Sequence, residues 1–481
     1  MNTALPAIFM AWITVLAVSM AWAGQQAAQP LSLHPDNPRY LLFRGRPTVL
    51  ITSGEHYGAV LNLDFDYVKY LDAIQAAGFN LTRTFSGTYR EVPGSFGITD
   101  NPLGPKRFQA PWARSDSPGA WDGGNKFDLK RFDPAYFARL KDFMAQASRR
   151  GIVVEFVLFC PFYDDKLWEA NPMNAKNNVN GIGNCKREEV YTLKYKDMLA
   201  IHEAFVRRVV EELNEFDNLY YEICNEPYFG GVTLEWQERI AQVIAETEAA
   251  LPHKHLIAQN IANGSKKIEK PNPLVSIFNF HYCTPPDAVE MNYHLKKVIA
   301  DDETGFKGRE DVHYRTEGWD FIIAGGGIYS NLDYSFTTGH PDGTLEDFKS
   351  PGGGGKELRK QLRILKDFIE GFDFVRMSPQ NGVIKGGVAT GTFTGTPASV
   401  RITARCLAEK GRAYAIYVRG GSQAELAVEL PAGTYRAQWV NTRSGAVDRD
   451  ETFDHAGGTR KLVSPAYVED IALRIVNAGN K

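Results

Sequence analysis

Two acidic residues stand at the ends of apolar segments that have the character of buried strands. Glu226 follows LYYEIC within Asn225-Glu226-Pro227, and Glu303 ends VIADDE. A carboxyl group in that position loses solvation, so we expect the pKa of Glu226 to rise into the range of a general acid. Glu303 could act as a nucleophile from across the same opening. Two carboxyl groups about 5–5.5 Å apart would favour substitution with retention, and a wider gap would favour inversion.

Other polar side chains end further apolar segments of the same kind. His56 follows the first segment, Arg83 lies in the second, and His281 and Tyr282 end the sixth. The amide of Asn225, beside the acid, is suited to a sugar hydroxyl. We therefore predict that these five side chains line one substrate-binding site together with the two acids.

Each of these assignments has a structural alternative. Asn225-Glu226-Pro227 could cap a helix in a loop. Arg83 could pair with a surface acid, and His56 and His281 could be buried structural histidines.

The remaining acids are less suited to the chemistry. Glu290 and Glu317 are the rivals of Glu303, and their surroundings are typical of exposed helix or loop residues. Asp301 and Asp302 could ligate a metal, but no third oxygen or histidine ligand lies nearby at a suitable spacing. The sequence therefore predicts no metal and no other cofactor.

Strand-like apolar segments alternate with helical ones from about residue 46 onward. The predicted strands are 47–54, 79–85, 152–160, 218–227, 255–261, 275–282, 297–303 and 325–332. Helical periodicity covers 63–78, 131–151, 192–216, 234–251 and 355–372. This alternation predicts a (β/α)8 TIM barrel, whose strand ends meet at one opening. A doubly wound open sheet is the alternative, but no glycine-rich phosphate loop follows the first strand.

The segments outside the barrel suggest a leader and a second domain. Residues 1–23 are apolar and end in Ala21-Trp22-Ala23, which predicts a cleaved signal peptide, with an uncleaved anchor as the alternative. A hairpin over 31–47 precedes the first strand, so the catalytic domain is expected to span 31–377. Short alternating strands predict a β-sandwich domain over 378–481. We expect a secreted or periplasmic protein.

Composition narrows the classes of function further. The 481 residues carry a net charge of −3 without a basic run, so nothing supports a nucleic-acid partner. No later apolar run is long enough to span a membrane. The five cysteines are too scattered for a zinc site, and Cys160 with Cys185 is the best candidate for a disulfide. The oligomeric state is not indicated by the sequence.

Three long connections are expected at the end of the barrel where the strands have their carboxyl ends. They span about 86–130, 161–190 and 304–350. Trp121 and Trp168 lie in them, and these rings, like Tyr329 in the last strand, are predicted to stack on sugar rings. Packing within the loops is the alternative role for each tryptophan. Loops of this length would narrow a cleft to a pocket, which favours a short glycan or a chain end as substrate.

Residues 36–375 resemble the clan of retaining (β/α)8 glycoside hydrolases that contains cellulases and mannanases. The resemblance rests on Asn225-Glu226 after the fourth strand and on Glu303 at the end of the seventh. It implies that Glu226 is the acid/base, that Glu303 is the nucleophile, that Asn225 contacts the hydroxyl next to the anomeric carbon, and that Arg83 braces the nucleophile. Tyr329 and Tyr334 stand where many members have a tryptophan platform.

The C-terminal segment GTYRAQWVNTRSGAV resembles a small β domain of several bacterial members, a type named for collagen binding. We infer no collagen binding from that name. The sequence therefore predicts a secreted retaining β-glycoside hydrolase with a carbohydrate substrate. The alternative is a catalytically silent carbohydrate-binding protein on the same barrel. An esterase is disfavoured because no Gly-x-Ser-x-Gly elbow is present.

Overall fold

The computed structural model describes residues 29–54, 57–104, 106–390 and 403–479. The predicted signal peptide, residues 1–23, and the predicted site residue His56 lie outside the described residues. No helix within the described ranges is long and apolar enough to cross a membrane.

Eight parallel strands form the central sheet of a TIM barrel, as the sequence predicts. They are β1 (Leu50–Gly54), β2 (Leu81–Phe85), β3 (Val153–Phe159), β4 (Leu219–Cys224), β5 (Leu256–Asn263), β6 (Ile277–His281), β7 (Val298–Glu303) and β8 (Ile328–Leu332). The strands pair in the order β1-β8-β7-β6-β5-β4-β3-β2. Between β1 and β2 the side chain of Asn80 bridges the seam, because it accepts from Ile51 N at 3.1 Å and donates to Val49 O at 2.8 Å.

Helices connect most of these strands on the outside. They are α1 (Tyr67–Ala76), α2 (Pro134–Arg149), α3 (Asp165–Glu169), α4 (Lys196–Leu213), α5 (Leu234–Ala249), α6 (Asp287–Asn292), α7 (Asp311–Ile323) and α8 (Lys356–Glu370). The side chain of Asp133 caps α2 through Ala135 N, and Pro134 occupies the first turn. The connection of 86–130 carries an antiparallel hairpin of Trp112–Pro118 with Asn125–Phe132.

Helix α7 lies inside the connection 304–350, where no helix was expected. Its residues are almost all buried, because the barrel covers one side and the C-terminal strands cover the other. A helix buried all round has no polar stripe, and its sequence therefore lacks the periodicity of a surface helix.

A small N-terminal sheet closes the bottom of the barrel, as the hairpin prediction anticipated. Its strands are Ser32–Leu33, Leu41–Phe43 and Arg46–Thr48. Leu41 and Phe43 pack with Leu50, Tyr220 and Ile328 in one apolar cluster. The opposite end of the barrel is left open to the long connections.

Two antiparallel sheets follow α8. The strands are β9 (Ser378–Pro379), β10 (Ile384–Thr390), β11 (Thr403–Glu409), β12 (Ala413–Arg419), β13 (Gln423–Leu430), β14 (Gly433–Val440), β15 (Val447–His455), β16 (Gly458–Val463) and β17 (Asp470–Asn477). One sheet has the order β9-β11-β12-β17-β14-β15, and the other β10-β13-β16. Trp439 and Tyr435 are fully buried in the core between the sheets.

The same C-terminal region packs on α7. Tyr417 stacks on Trp319 with ring centroids 5.6 Å apart, so Tyr417 belongs to the interface with the barrel and not to the sandwich core. Trp319 is consequently not a wall of a sugar site. Glu317, expected to be exposed, is buried and accepts from Thr304 Oγ1 at 2.8 Å.

The cysteines do not follow the disulfide prediction. All five are free thiols, so the bridge between Cys160 and Cys185 is wrong. Cys160 is buried beside Tyr163 and Asn225, whose polar atoms lie 3.7 and 3.6 Å from its sulfur.

Candidate active site

Glu226 and Glu303 meet at the open end of the barrel. Glu226 follows β4 with a positive φ of 37°, and Glu303 is the last residue of β7. One carboxylate oxygen of each lies within 4.8 Å of the other and of a ring nitrogen of His281. Both side chains are buried except for a small face on the cavity described below. The two acids selected from the sequence are therefore partners in one site.

Arg83 connects these elements from inside the barrel. Its guanidinium donates to Glu303 Oε2 at 2.8 Å, to Glu222 Oε2 at 2.7 Å and to Asn225 Oδ1 at 2.6 Å. Arg83 is 2% exposed, so these charge-assisted bonds are shielded from water. It is a buried positioning group for Glu303, and the surface-pair alternative is wrong.

His281 lies between the two acids. Its Nδ1 is 3.4 Å from Glu226 Oε1 and 3.6 Å from Glu303 Oε1, while Nε2 is 3.4 Å from Asp302 Oδ1. Burial alone would lower the pKa of His281, but these three carboxylates raise it to about 9. His281 is therefore a cation at neutral pH. Tyr282 also contacts the acids, since its hydroxyl donates to Glu303 Oε1 at 3.5 Å.

The pKa values of the two acids differ from the sequence expectation. Burial raises the pKa of Glu226, but the hydrogen bond and charge of His281 and a hydrogen bond from Tyr163 bring it below its usual value. Burial and the charge of Glu226 raise the pKa of Glu303 against the opposing charges of His281 and Arg83. The expected rise in the pKa of Glu226 is therefore wrong, because His281 and Tyr163 stabilise its carboxylate.

Three polar side chains near Glu226 have no counterpart in the sequence analysis. Tyr163, just after β3, donates to Glu226 Oε2 at 2.6 Å and accepts from Asn225 Nδ2 at 2.9 Å. Tyr228 lies 3.4 Å from Glu226 Oε1 and hydrogen bonds to Asn263 at the end of β5. Glu226 thus has hydrogen-bond partners from three elements, which fix its carboxylate in orientation.

A second group of acids lies below the first, inside the barrel. Glu155, Glu222 and Asp302 each place a carboxylate oxygen within 4.8 Å of the others. Asp302 therefore has neighbouring acids that could serve as further ligands, Glu155 from β3 and Glu222 from β4. They are far from Asp302 in the sequence, so the spacing of residues along the chain did not reveal them. A cation in this cluster would face the guanidinium of Arg83, which already bonds to Glu222 and lies 3.7 Å from Glu155. The donor set therefore fits an internal ion pair better than a metal.

A cavity of about 370 Å³ opens above the two acids. All three long connections contribute to its walls. The lining includes Tyr57, Phe85, Tyr89, Phe96, Ile98, Tyr163, Phe229, Phe306, Leu332, Tyr334 and Phe336, with Glu91, Asp100, Asn101, Asn225, Asn263, Tyr282, Asp333, Thr337 and Ser350 as its main polar groups. Its volume is near the lower end of the roughly 300–1,000 Å³ typical of small-molecule sites.

Five of the predicted binding residues do not line this cavity. Arg83 and His281 are buried behind the two acids, and the other three are aromatic. Tyr329 is fully buried and donates to Tyr314 O at 2.7 Å beneath α7. Trp168 packs on Phe162 with ring centroids 4.9 Å apart, and its indole donates to Cys185 O. Trp121 is half exposed but does not line the cavity. Packing within its loop explains Trp168, packing of β8 beneath α7 explains Tyr329, and Tyr334 provides the aromatic wall near β8.

Known proteins resemble this chain in part. Residues 100–265 match the family model described as "Domain of unknown function (DUF6298)". No curated protein sequence matches the chain. The structural likeness is broader. A glycoside hydrolase family 5 protein from Bacteroides vulgatus ATCC 8482 superposes with a TM-score of 0.62 at 13% identity, over 94% of this chain and 94% of that one.

Two further structures extend that comparison. A protein named glycoside hydrolase has a TM-score of 0.61 at 15% identity, covering 94% of this chain and 98% of its own. A second Bacteroides vulgatus ATCC 8482 protein, named as a candidate glycoside hydrolase, has a TM-score of 0.64 at 14% identity, covering 95% and 84%. At such identities the likeness establishes the shared fold, a TIM barrel with a C-terminal β region.

Proposed function

We propose that the protein is a secreted retaining β-glycoside hydrolase that acts by double displacement on a short glycan or a chain end. The observation that carries this proposal is the pair Glu226 and Glu303, held within 4.8 Å at the carboxyl ends of β4 and β7. Carboxylate oxygens this close favour the carboxyl spacing of retaining enzymes, about 5–5.5 Å, over the roughly 6.5–9.5 Å of inverting ones.

In the proposed first step, Glu303 attacks the anomeric carbon while Glu226 donates a proton to the leaving oxygen. A covalent glycosyl ester forms on Glu303 and the alcohol departs. In the second step, Glu226 accepts a proton from water, which attacks the same carbon and releases Glu303. Arg83 and Tyr282 orient Glu303 through their bonds to its two oxygens.

The protonation state of the pair limits this mechanism. The proposed roles need a proton on Glu226 and an ionised Glu303, whereas the pKa of Glu226 is lowered and that of Glu303 is raised. His281 acts on both acids, because its ring lies close to both.

The cavity supports action on a short substrate. Glu226 and Glu303 lie at one wall of a space of about 370 Å³ whose other walls come from the long connections. The carbohydrate is expected to place its hydroxyls near polar groups of the lining such as Asn225 and Asp333.

The first test is a hydrolysis screen of the full chain lacking residues 1–23. Aryl β-glycosides of several sugars and plant, algal and bacterial polysaccharides serve as substrates. The anomer released first is read by NMR. We expect hydrolysis with a β-product, and Glu226→Gln should lower turnover by about 10²–10⁴-fold on unactivated substrates. Glu290→Gln, at an exposed acid of α6, is the matched control and should leave turnover unchanged.

Two results would contradict the proposal. A first product of inverted configuration would exclude double displacement. Binding of a glycan without hydrolysis, unaffected by Glu303→Gln, would favour the carbohydrate-binding alternative. Secretion is tested separately, by N-terminal sequencing of the exported protein, which should begin at Gly24.

A further inference from the structure

The cavity above the acids has an apolar rim of three phenylalanines. Phe96, Phe229 and Phe306 all line it, and they are 41%, 43% and 42% exposed. The chain contains 28 phenylalanines, and these three are the only exposed ones among the described residues. The most exposed phenylalanines of the described structure therefore all lie at one place, which is typical of a binding surface.

The rim rings are held in position by other aromatic rings. Phe96 meets Tyr163 edge to face at 5.2 Å and Phe306 at 6.4 Å. Phe229 lies 5.7 Å from Tyr163, and Phe306 lies 6.2 Å from Tyr334. These contacts hold the three rings in place while about two fifths of each phenylalanine stays exposed, at 41%, 43% and 42%.

The backbone at this rim is strained as well. Phe96 and Phe306 have φ values of 56° and 52°, in the left-handed region that non-glycine residues rarely occupy. Glu226 and Tyr282 share this property, with φ of 37° and 54°. Of the eight non-glycine residues with positive φ among the described residues, these four line the cavity, and strain of this kind commonly marks a functional site.

The rim lies on the side where the leaving group must be. The proton donor Glu226 bonds to Tyr163, and Tyr163 contacts both Phe96 and Phe229. The oxygen protonated by Glu226 carries the departing group, so that group lies among these rings. A sugar there would need several hydrogen-bond partners, and a phenyl ring provides none.

We propose that the departing group is a flat apolar aglycone, such as a phenolic or fused-ring alcohol. This inference rests on the proposed glycosidase function and names its substrate class. Flat rings pack on the edges and faces of phenylalanines, and the volume above the acids has room for one sugar ring with one such group but not for a long glycan. A flexible alkyl chain, as in a glycolipid, is the competing apolar group.

The test compares aglycones on the sugar that the aryl-glycoside screen identifies. The probes are its 2-naphthyl, octyl and disaccharide β-glycosides. For each probe, the kcat/KM of a variant is divided by that of wild type. This ratio removes the intrinsic reactivity of the leaving group, so the ratios can be compared between probes. Phe229→Ala and Phe96→Ala should lower kcat/KM for the naphthyl glycoside about tenfold and leave the disaccharide within about twofold. Met291→Ala, an equally exposed apolar residue outside the cavity, is the control and should change neither.

Phe229 lacks the left-handed backbone of Phe96, so its variant stays informative if Phe96→Ala folds poorly. Equal losses of kcat/KM on all three probes would overturn the inference, because the rim would then contact every leaving group without preference for a flat ring. A loss confined to the octyl glycoside would overturn it in favour of a lipid substrate.

If wild type hydrolyses no glycoside, binding of free 4-methylumbelliferone is measured by fluorescence. If wild type binds the fluorophore and Phe229→Ala does not, the apolar binding site is supported and the glycosidase function is refuted. No binding would refute both.

Discussion

Two buried arginines organise two clusters of acids, and the clusters differ in how their charges balance. At the interface with the C-terminal region, Arg315 donates to Asp470 at 2.7 Å, to Glu469 at 2.6 Å and to Gln361 at 2.8 Å. Asp470 also accepts from Tyr417, and the cluster contains two acids for one arginine. The polar groups around Arg315 thus have hydrogen-bond partners, as in a structural ion pair.

The cluster around Arg83 is not balanced in this way. Five acids, Glu155, Glu222, Glu226, Asp302 and Glu303, share two cations, Arg83 and His281. Within the described residues, both carboxylate oxygens of Glu155 and of Asp302 lack a hydrogen-bond donor. Excess buried charge of this kind costs stability, so its presence at the cavity floor indicates a chemical role. The comparison separates an arginine at the interface with the C-terminal region from one at the candidate active site.

The largest expected effect comes from removing each arginine. Arg83→Met leaves buried acids unpaired, which should cost about 3–5 kcal/mol of folding free energy and about 10²–10³-fold in turnover. Arg315→Met should cost a similar amount of stability, because Asp470 is left buried and unpaired. Its turnover, measured below the unfolding temperature, should match wild type. Denaturant unfolding and steady-state kinetics check both, and a large kinetic loss in Arg315→Met would break the distinction.

Neutralising one acid in each cluster should have opposite effects on stability. Burial and the charge of Asp302 raise the pKa of Glu155 well above its usual value, so folding favours the protonated form. Stability therefore falls as pH rises from the usual carboxyl range up to the raised pKa. Glu155→Gln imitates the protonated acid and should leave stability at neutral pH equal or higher. Asp470→Asn loses charge-assisted bonds and should cost about 1.5–3 kcal/mol.

Thermal unfolding at neutral pH measures this pair of variants. A Glu155→Gln protein destabilised as strongly as Asp470→Asn would show that the acids under Arg83 are satisfied after all.

A smaller effect concerns pH dependence. The charge of His281 lowers the pKa of both Glu226 and Glu303, and its own pKa of about 9 keeps the charge across the neutral range. His281→Gln removes this charge, so both pKa values rise and both limbs of the kcat/KM profile move to higher pH. His255→Gln, at a buried histidine bonded to Glu248 before β5, is the control and should leave both limbs in place. Limbs that stay in place in His281→Gln would show that its charge does not act on the acids.

The smallest effect is expected at Trp121, which the sequence analysis assigned to sugar binding. Its ring lies 5.0 Å from the Arg90 guanidinium and outside the cavity lining. Trp121→Ala should therefore change kcat/KM by no more than about twofold, equivalent to about 0.5 kcal/mol. A tenfold rise in KM would place this ring in a sugar site and enlarge the site beyond the cavity.

Much of the barrel could be predicted because most strands are largely apolar runs ended by a polar residue. That rule located Glu226 and Glu303 at one opening, since parallel strands end on the same side. It failed for α7, whose residues are buried on all sides and carry no helical stripe. The pKa of Glu226 could not be predicted either, because it depends on the distance to His281 from another strand.

The acids below the site did leave a signal in the sequence. Glu155 interrupts the apolar run IVVEFVLF, and Glu222 interrupts LYYEIC. An acid in the middle of a buried strand needs a partner, and Arg83 in LTRTF has the same unusual position. The aromatic rim left no such signal. Phe96, Phe229 and Phe306 lie in loops, where no periodicity fixes the direction of a side chain.

The account depends most on Glu303 as the nucleophile, and chemical rescue tests this directly. Glu303→Ala should lose glycosyl-enzyme formation, and its turnover of an activated aryl β-glycoside should return on addition of azide. The small anion occupies the space of the missing carboxylate, attacks the anomeric carbon from the opposite face and releases the phenol, so the product is an α-glycosyl azide. Glu226→Ala with azide should instead give a β-glycosyl azide, because Glu303 still forms the intermediate. An α-azide from Glu226→Ala, with no rescue of Glu303→Ala, would contradict the account and reverse the two roles.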